Sequence, residues 1–224
     1  MDFFQSVKGK LIVSCQAQPH EPLHSSFIMA KMAKAAQEGG AAGIRAESLA
    51  DILAIKKEVD LGVIGLIKAH YSDSEIYITP TLEEVEALIV SKCEMIALDM
   101  TNRPRPNNVP VEALVKRIQE AGRLVLADIS TYDEAIAAEK LGVDGISTTL
   151  SGYTPYSPQQ EEADFELMQK LVADCKVPIF AEGRLNTPAD LQKAMSLGVH
   201  AAIIGSSITR PQLITKSFVK VLEQ

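Results

Sequence analysis

Short apolar runs of strand length alternate with longer segments of helical periodicity along the whole chain. The runs lack the strict polar alternation of a half-exposed sheet, so they predict strands that are buried on both faces, as parallel sheets require. Eight such runs occur, at residues 11–17, 42–46, 62–69, 95–100, 124–130, 145–150, 178–183 and 201–206.

The segments between the runs have the chemistry of helices. Thr187-Pro188 predicts an N-cap followed by proline in the first helical position, and Thr209-Arg210-Pro211 predicts a similar start for the last helix. Glycines at 39–40, 122, 142 and 198 are placed to end helices before the next strand.

Eight strands that alternate with about eight helices predict an α/β fold, a single closed (β/α)₈ barrel domain over residues 1–224. An open doubly wound sheet is the alternative architecture. We expect the first ten residues to form a short helix or cap that closes one end of the barrel, and His200 to lie at the end opposite the strand carboxyl termini.

Two glycine-bearing loops follow the last two predicted strands. Phe180–Arg184 ends one strand, and Ile203–Pro211 runs from the next strand into a helix start. In (β/α)₈ barrels these loops bind phosphate, because glycines let backbone N–H groups approach the anion and a helix N-terminus adds its positive dipole end. The pattern predicts a phosphorylated ligand.

Charged or amide side chains end several otherwise apolar strands. Period-two geometry aims them at the barrel mouth, where such enzymes keep their active sites. Any one of them could be a structural ion pair, but five beside a phosphate loop favour a site. They are Gln16, Arg45, Lys68, Asp128 and Glu182. Asp99 could be a sixth member, or it could cap or contact a loop.

The loops 101–110 and 151–163 would lie at the same face. Each is a candidate lid, and each could equally be a plain solvated connection.

Composition restricts the function further. The formal net charge of −7 argues against a general nucleic-acid surface, although a phosphate pocket needs only local positive charge. No signal-peptide core and no stretch of about 20 apolar residues is present, so we expect no membrane partner. Three cysteines without C-x-x-C spacing fit reduced thiols in the cytoplasm.

The four histidines give little support for a metal site. Pro19 and Pro22 prevent the regular helix that would aim His20 and His24 at one ion. We therefore expect no metal and, without a dinucleotide fingerprint, no organic cofactor.

Six motifs distributed over the chain resemble the N-acylglucosamine-6-phosphate 2-epimerase family, also called the N-acetylmannosamine-6-phosphate 2-epimerase family. The motifs are Ile44-Arg45-Ala46, Gly65-Leu66-Ile67-Lys68, Ala97-Leu98-Asp99, Ala127-Asp128-Ile129, Ala181-Glu182-Gly183-Arg184 and Gly205-Ser206-Ser207-Ile208-Thr209-Arg210-Pro211. The resemblance covers essentially the whole chain and implies a barrel of the ribulose-phosphate-binding type.

The resemblance also implies a reaction and residue roles. The family interconverts N-acetylmannosamine 6-phosphate and N-acetylglucosamine 6-phosphate in sialic acid and amino-sugar catabolism, without cofactor or metal. Lys68 and Glu182 match its acid/base pair, and the sugar-binding positions match Gln16, Arg45 and Asp128. Phosphate recognition matches Arg210 and the loops that contain Gly183, Arg184, Gly205 and Ser206. We expect a homodimer that acts on a small-molecule sugar phosphate.

Epimerisation at C2 requires removal of a proton next to the C1 aldehyde, an enediolate, and protonation from the other face. Lys68 can be the base if burial and the nearby charge of Arg45 lower its pKa. Three other functions stay open: a Schiff-base aldolase that uses Lys68, another sugar-phosphate barrel enzyme, and a ligand-sensing barrel without catalysis.

Overall fold

Eight parallel strands form a closed barrel in the order of the sequence, with β8 paired to β1. The computed structural model describes residues 2–223. The strands are β1 (Leu11–Cys15), β2 (Gly43–Glu47), β3 (Gly62–Leu66), β4 (Met95–Asp99), β5 (Leu124–Asp128), β6 (Gly145–Ser147), β7 (Ile179–Glu182) and β8 (Ala201–Ile204). The prediction of a closed (β/α)₈ barrel is confirmed, and the open sheet was the wrong alternative.

Helices precede, connect and follow the strands. They are α1 (Phe3–Val7), α2 (Ser26–Glu38), α3 (Leu49–Glu58), α4 (Leu82–Ser91), α5 (Val111–Glu120), α6 (Tyr132–Lys140), α7 (Phe165–Asp174), α8 (Pro188–Ser196), α9 (Ser206–Thr209) and α10 (Pro211–Leu222), with a 3₁₀ turn at Pro106–Asn108. Across residues 2–223, no helix combines the length and the apolar character that crossing a membrane would need.

Most strands are shorter than the apolar runs that predicted them. The run 62–69 gives a strand that ends at Leu66, because the chain then turns into a small hairpin in which Lys68 bridges Ile78. In contrast, β2 extends one residue beyond its run, since Glu47 pairs with Leu66 of β3. Apolar character alone did not separate strand residues from the buried residues that follow them.

The barrel interior and the helix layer form two separate apolar cores. Ile64 and Leu66 of β3 point inward and pack with residues such as Leu126 and Phe180. The alternate strand residues pack outward against the helices. The inward set is apolar in the barrel's lower half, and towards the strand carboxyl ends it changes to polar residues, which places the chemistry at that end.

Helix α1 closes the opposite end, as expected for the N-terminal residues. Phe3 and Val7 are buried, and a Cβ at Gly62 would lie 2.6 Å from the Phe3 ring. His200 immediately precedes β8 and its Nε2 lies 3.0 Å from the Phe4 carbonyl oxygen. The N-terminal cap and the position of His200 are both confirmed.

The predicted helix starts differ in their outcome. Thr187 accepts the Asp190 N–H in a reciprocal capping box, with Pro188 in the first turn, as the sequence predicted. Helix α10 begins at Pro211, but Thr209 does not cap it, because its hydroxyl donates to the Ser14 carbonyl oxygen at 2.8 Å. The interpretation of Thr209 as a cap was therefore wrong: the short helix α9 holds that residue against β1.

Candidate active site

A cavity of about 330 Å³ opens at the carboxyl ends of the strands. Polar side chains and loop backbone from several βα units line it, including nine of the ten residues that the sequence assigned to the site. These are Gln16, Arg45, Lys68, Glu182, Gly183, Arg184, Gly205, Ser206 and Arg210. The remaining residue, Asp128, is fully buried beneath Arg45.

Arg45 spans the barrel interior and joins two carboxylates. Its guanidinium donates to both oxygens of Asp128, at 3.0 and 2.6 Å, and to Glu182 Oε2 at 2.8 Å. The side chains of Arg45 and Asp128 are 1% and 0% exposed. One bidentate cation thus fixes the ends of β2, β5 and β7 and sets the orientation of Glu182.

Glu182 has further partners on β6 and in the loop that follows it. The Thr149 hydroxyl lies 2.8 Å from Glu182 Oε2 and 2.7 Å from Asp128 Oδ1, and Ser147 lies 3.4 Å from Glu182 Oε2. Burial raises the pKa of Glu182 above its ordinary value; Arg45 opposes this effect, and the nearby Asp128 charge adds to it. A carboxyl group in this position is suited to carry a proton.

Lys68 enters the cavity from beside β3 and pairs with Glu47. The Lys68 Nζ lies 3.3 Å from Glu47 Oε2, and its side chain is 19% exposed. Burial lowers the pKa of Lys68; Glu47 opposes this shift, whereas the charges of Arg45 and Arg210 add to it. The shift is in the direction that a lysine base requires.

Lys68 and Glu182 approach the cavity from opposite sides. They follow β3 and end β7, which are four strands apart in a ring of eight. A ligand between them would present one face to each group. The pair therefore has the arrangement that a two-faced proton transfer needs.

The loops after β7 and β8 form the other half of the cavity wall. Gly183 has a φ of +100°, a conformation that glycine adopts without strain, and a Cβ at Gly205 would lie 3.1 Å from the Ser14 Cβ. The Arg210 Nε lies 2.9 Å from Glu21 Oε1, and its Nη1 donates to Ser206 at 3.2 Å. This half of the cavity presents a cation beside small residues.

Arg184 connects the cavity to the loop 151–163. Its guanidinium packs against Gly152, where a Cβ would overlap it, and lies 5.9 Å from the centre of the Tyr153 ring. The buried Arg184 Nε has no hydrogen-bond partner among residues 2–223. Tyr153 also lines the cavity, so this loop forms part of the wall.

The loop 101–110 is fastened to the end of β4 through Asp99. Arg103 donates to Asp99 Oδ2 at 2.6 Å, and the Thr101 hydroxyl donates to Oδ1 at 2.7 Å. Of the roles considered for Asp99, the structure shows the contact to a loop. Asp99 does not line the cavity.

Several site residues were missed from the sequence. Thr149 and Ser14 are neutral and gave no charge signal, and Tyr77 lies in a hairpin that the apolar pattern did not predict. Glu47 had a usable signal, since it stands two residues after Arg45 on the same strand face. The predicted strand ended at residue 46, which left Glu47 in a loop.

The histidines take no part in a metal cluster. Across residues 2–223, no group of three or more His, Cys, Asp or Glu side chains is placed to hold a metal ion. His24 Nδ1 lies 2.9 Å from the Ala17 carbonyl oxygen, and His70 stacks with Tyr77 at 6.0 Å between ring centres.

Known proteins resemble this chain over nearly its full length. A family model for N-acetylmannosamine-6-phosphate epimerases matches residues 29–224. A relative from Clostridioides difficile, named an N-acetylmannosamine-6-phosphate 2-epimerase, is 62% identical over 217 residues, which are 97% of each chain.

Solved structures also resemble this chain in fold. The N-acetylmannosamine-6-phosphate 2-epimerase from Clostridium perfringens superposes with a TM-score of 0.96 at 57% identity, covering 97% of this chain and 95% of that one. Thiamine phosphate pyrophosphorylase from Pyrococcus furiosus has a TM-score of 0.62 at 16% identity, covering 92% and 89%, and is similar in fold alone.

Proposed function

The chain belongs to the N-acetylmannosamine-6-phosphate epimerase family, and on that premise we propose that it interconverts N-acetylmannosamine 6-phosphate and N-acetylglucosamine 6-phosphate by inverting C2. The observation that carries the mechanism is the placement of Lys68 and Glu182 on opposite sides of one cavity. The reaction belongs to sialic acid and amino-sugar catabolism.

The sugar ring must open first, because the C2 proton becomes acidic only beside the C1 aldehyde. Removing that proton gives the enolate of the open-chain aldehyde and not the enediolate expected above, because C2 carries the acetamido nitrogen in place of a hydroxyl group. Returning a proton to the other face, followed by ring closure, gives the epimer. The protein must therefore supply a base, an acid and a positive field for the enolate oxygen.

We assign the base to Lys68. A lysine removes a proton only when it is neutral, and burial together with two cationic neighbours, Arg45 and Arg210, favours that form. The Lys68 backbone is held by its bridge to Ile78, which fixes the direction from which Nζ reaches the sugar.

We assign the acid to Glu182. Its raised pKa lets the carboxyl group hold a proton more readily than an exposed glutamate, and its hydrogen bonds to Arg45 and Thr149 keep one orientation. Arg45 also lines the cavity, so its guanidinium can stabilise negative charge that develops there.

Asp128 positions Arg45 and does not line the cavity. Gln16 donates to Ser14 at 2.9 Å at the end of β1, from where its amide can meet a sugar hydroxyl. We place the 6-phosphate between Arg210 and the backbone of the loops at Gly183–Arg184 and Gly205–Ser206, which line the same wall.

The decisive test is proton NMR of N-acetylmannosamine 6-phosphate with the enzyme in deuterated water. We expect signals of N-acetylglucosamine 6-phosphate to grow in while both sugars lose their C2 proton signal. Addition of borohydride with the substrate should not inactivate the enzyme, since no Schiff base forms. Irreversible inactivation, or cleavage products in place of the epimer, would indicate an aldolase.

Replacing Arg210 by alanine should raise KM about 100-fold with a smaller change in kcat, because a charge-assisted contact to the phosphate is lost. Initial-rate kinetics measure this effect. Arg117→Ala removes an arginine from an exposed ion pair with Glu86 on the helix layer; it is the matched control and should leave KM unchanged. The unphosphorylated sugar should be a very poor substrate, and equal kcat/KM values for both sugars would contradict the phosphate site.

We propose that the enzyme is a homodimer in which α10 packs on a second copy. No residue within Pro211–Leu222 is buried, and Phe218 and Leu222 are 72% and 85% exposed. In a (β/α)₈ barrel the eighth helix covers β8 and β1, and here an apolar groove of about 260 Å³ lies open beside β1 and α2. A second copy could cover both apolar surfaces at once, and C₂ symmetry would make the contacts the same in both directions.

Phe218→Glu should convert the dimer to a monomer, because it introduces a charge into an apolar interface. Light scattering after gel filtration should give twice 24.3 kDa for the wild type and 24.3 kDa for the variant. Val90→Glu changes an exposed apolar residue on α4 and should stay dimeric. A monomeric wild type, or a dimeric Phe218→Glu protein, would exclude this interface.

We place the enzyme in the cytoplasm. All three cysteines are free, and Cys15 and Cys93 are buried, which fits a reducing compartment.

A further inference from the structure

We propose that Glu47 is a positioning residue for the epimerisation: it orients the Lys68 amine and stabilises the charge that Lys68 gains when it takes the C2 proton. This inference rests on the proposed function. It is supported by an ion pair, by a hydrogen bond that fixes the carboxylate and by the backbone that carries both side chains.

Two donors lie close to the Glu47 carboxylate oxygen Oε2. Lys68 Nζ lies 3.3 Å from it, and the Gln18 side-chain amide donates to it at 2.6 Å. The Glu47 side chain is 15% exposed. A carboxylate held by an amide from a neighbouring loop and shielded from water keeps one position, so it can direct Nζ.

The backbone on both sides of this pair is also fixed. Glu47 pairs with Leu66 in the parallel register. Lys68 therefore lies two residues beyond the partner of Glu47. The Ser48 N–H donates to the Leu66 carbonyl oxygen at 2.9 Å, and Ser48 has a φ of +68°, so the chain turns sharply after Glu47. The bridge of Lys68 to Ile78 holds the other side.

Glu47 does not line the cavity, so its effect on the sugar passes through Lys68. The charged groups that act on Lys68 are Arg45 from β2, Arg210 from the start of α10, and Glu47 itself. The other titratable groups that line the cavity are Tyr77, Tyr153, Glu182 and Arg184. The negative charge of Glu47 offsets the positive charges of the two arginines at the Lys68 amine.

This balance matters because the base changes charge during the reaction. The Nζ lone pair takes the C2 proton, the C2–H bond electrons form the C1–C2 double bond, and the carbonyl electrons move to oxygen. Lys68 is then an ammonium ion between two guanidinium groups and one carboxylate. Glu47 stabilises this state, so that the base stays strong enough to remove the proton from C2.

The main test is Glu47→Gln, which keeps the shape and removes the charge. We expect the plateau value of kcat to fall about tenfold, KM to stay within about twofold, and the acid limb of the pH–rate profile to move down by about one pH unit. Glu86→Gln removes a carboxylate from an exposed ion pair with Arg117 and should change none of these quantities.

Titration of Lys68 by NMR of ¹³C-labelled lysine, assigned with Lys68→Arg, separates this inference from the proposed function. The Lys68 pKa should be lower in Glu47→Gln than in the wild type and in Glu86→Gln. A wild type that exchanges no C2 proton would refute the proposed function. An active enzyme in which Glu47→Gln leaves both the Lys68 pKa and the pH limb unchanged would overturn the role of Glu47.

Glu47→Asp provides a second variant in case Glu47→Gln does not fold. It keeps the carboxylate and withdraws it by one methylene, so kcat should fall while the pH limb stays in place. A purely structural role predicts loss of folded protein in parallel with kcat, which circular dichroism would detect. Full kcat in a folded Glu47→Asp protein would contradict the positioning role.

Discussion

Replacing Lys68 by alanine is expected to abolish epimerisation and C2 deuterium exchange together, with kcat reduced by about 10⁴-fold. The residue supplies the cavity's candidate base, its pKa is lowered by burial, and its side chain faces the same space as Glu182. Proton NMR in deuterated water measures turnover and exchange in the same sample.

Two controls distinguish loss of the base from loss of structure. Lys68→Arg keeps a cation for Glu47 but cannot become neutral in the working range, so it should also be inactive. Lys56→Ala removes an amine that pairs with Glu94 at 2.6 Å, away from the cavity, and should stay active. Full exchange by folded Lys68→Ala would show that another group, Glu182 first of all, removes the proton.

Replacing Arg45 by methionine should lower the free energy of unfolding by about 3–5 kcal/mol, because Asp128 and Glu182 would be left buried without their cation. Both carboxylates bond to the guanidinium, and Arg45 is 1% exposed. The variant should also be inactive, since Glu182 loses the donor that orients it. Chemical denaturation followed by circular dichroism measures the loss of stability.

The destabilisation of Arg45→Met should depend on pH in a defined direction. The pKa of Glu182 is already raised in the folded protein, and removal of the cation raises it further. A carboxyl group with a raised folded pKa destabilises the protein above that pKa and has no such effect below its unfolded pKa. The Tm difference from the wild type should therefore narrow as the pH falls from about 8 towards about 5.

Arg45→Lys is the matched variant for this prediction. It keeps the positive charge and loses the bidentate geometry, so it should be more stable than Arg45→Met but still impaired in turnover. If Arg45→Met unfolded with the wild-type midpoint at every pH, the buried ion cluster would not contribute to the stability of the fold.

Sequence periodicity predicted the barrel because both cores follow from it. Inward residues such as Ile64 and Leu66 alternate with outward residues that pack on the helices, and this alternation of two buried faces produces a continuous apolar run. Because the apolar run continues past the end of the strand, it did not show where the strand ends. Ile67 follows β3 and still packs against the core, although it lies outside the strand.

Charged site residues at the strand ends could be predicted from the sequence, because a charge is conspicuous in an apolar run. Neutral site residues are not conspicuous there and were missed. Arg45, Lys68 and Glu182 stand out in apolar surroundings, since an unpaired buried charge is costly. Thr149 bonds both Asp128 and Glu182 but is an ordinary residue in a strand-like run. The pairing of Arg210 with Glu21 depends on the loop after β1, whose path no periodicity describes.

Arg210 is the residue immediately before α10, so the proposed phosphate contact and the proposed subunit contact act on one short stretch of backbone. Two binding events that act on the same segment are thermodynamically linked, and the linkage is reciprocal. If a sugar phosphate that draws Arg210 away from Glu21 changes the dimer's dissociation constant, dimer formation must change the affinity for the sugar phosphate by the same factor. Substrate affinity then varies with protein concentration, by mass action.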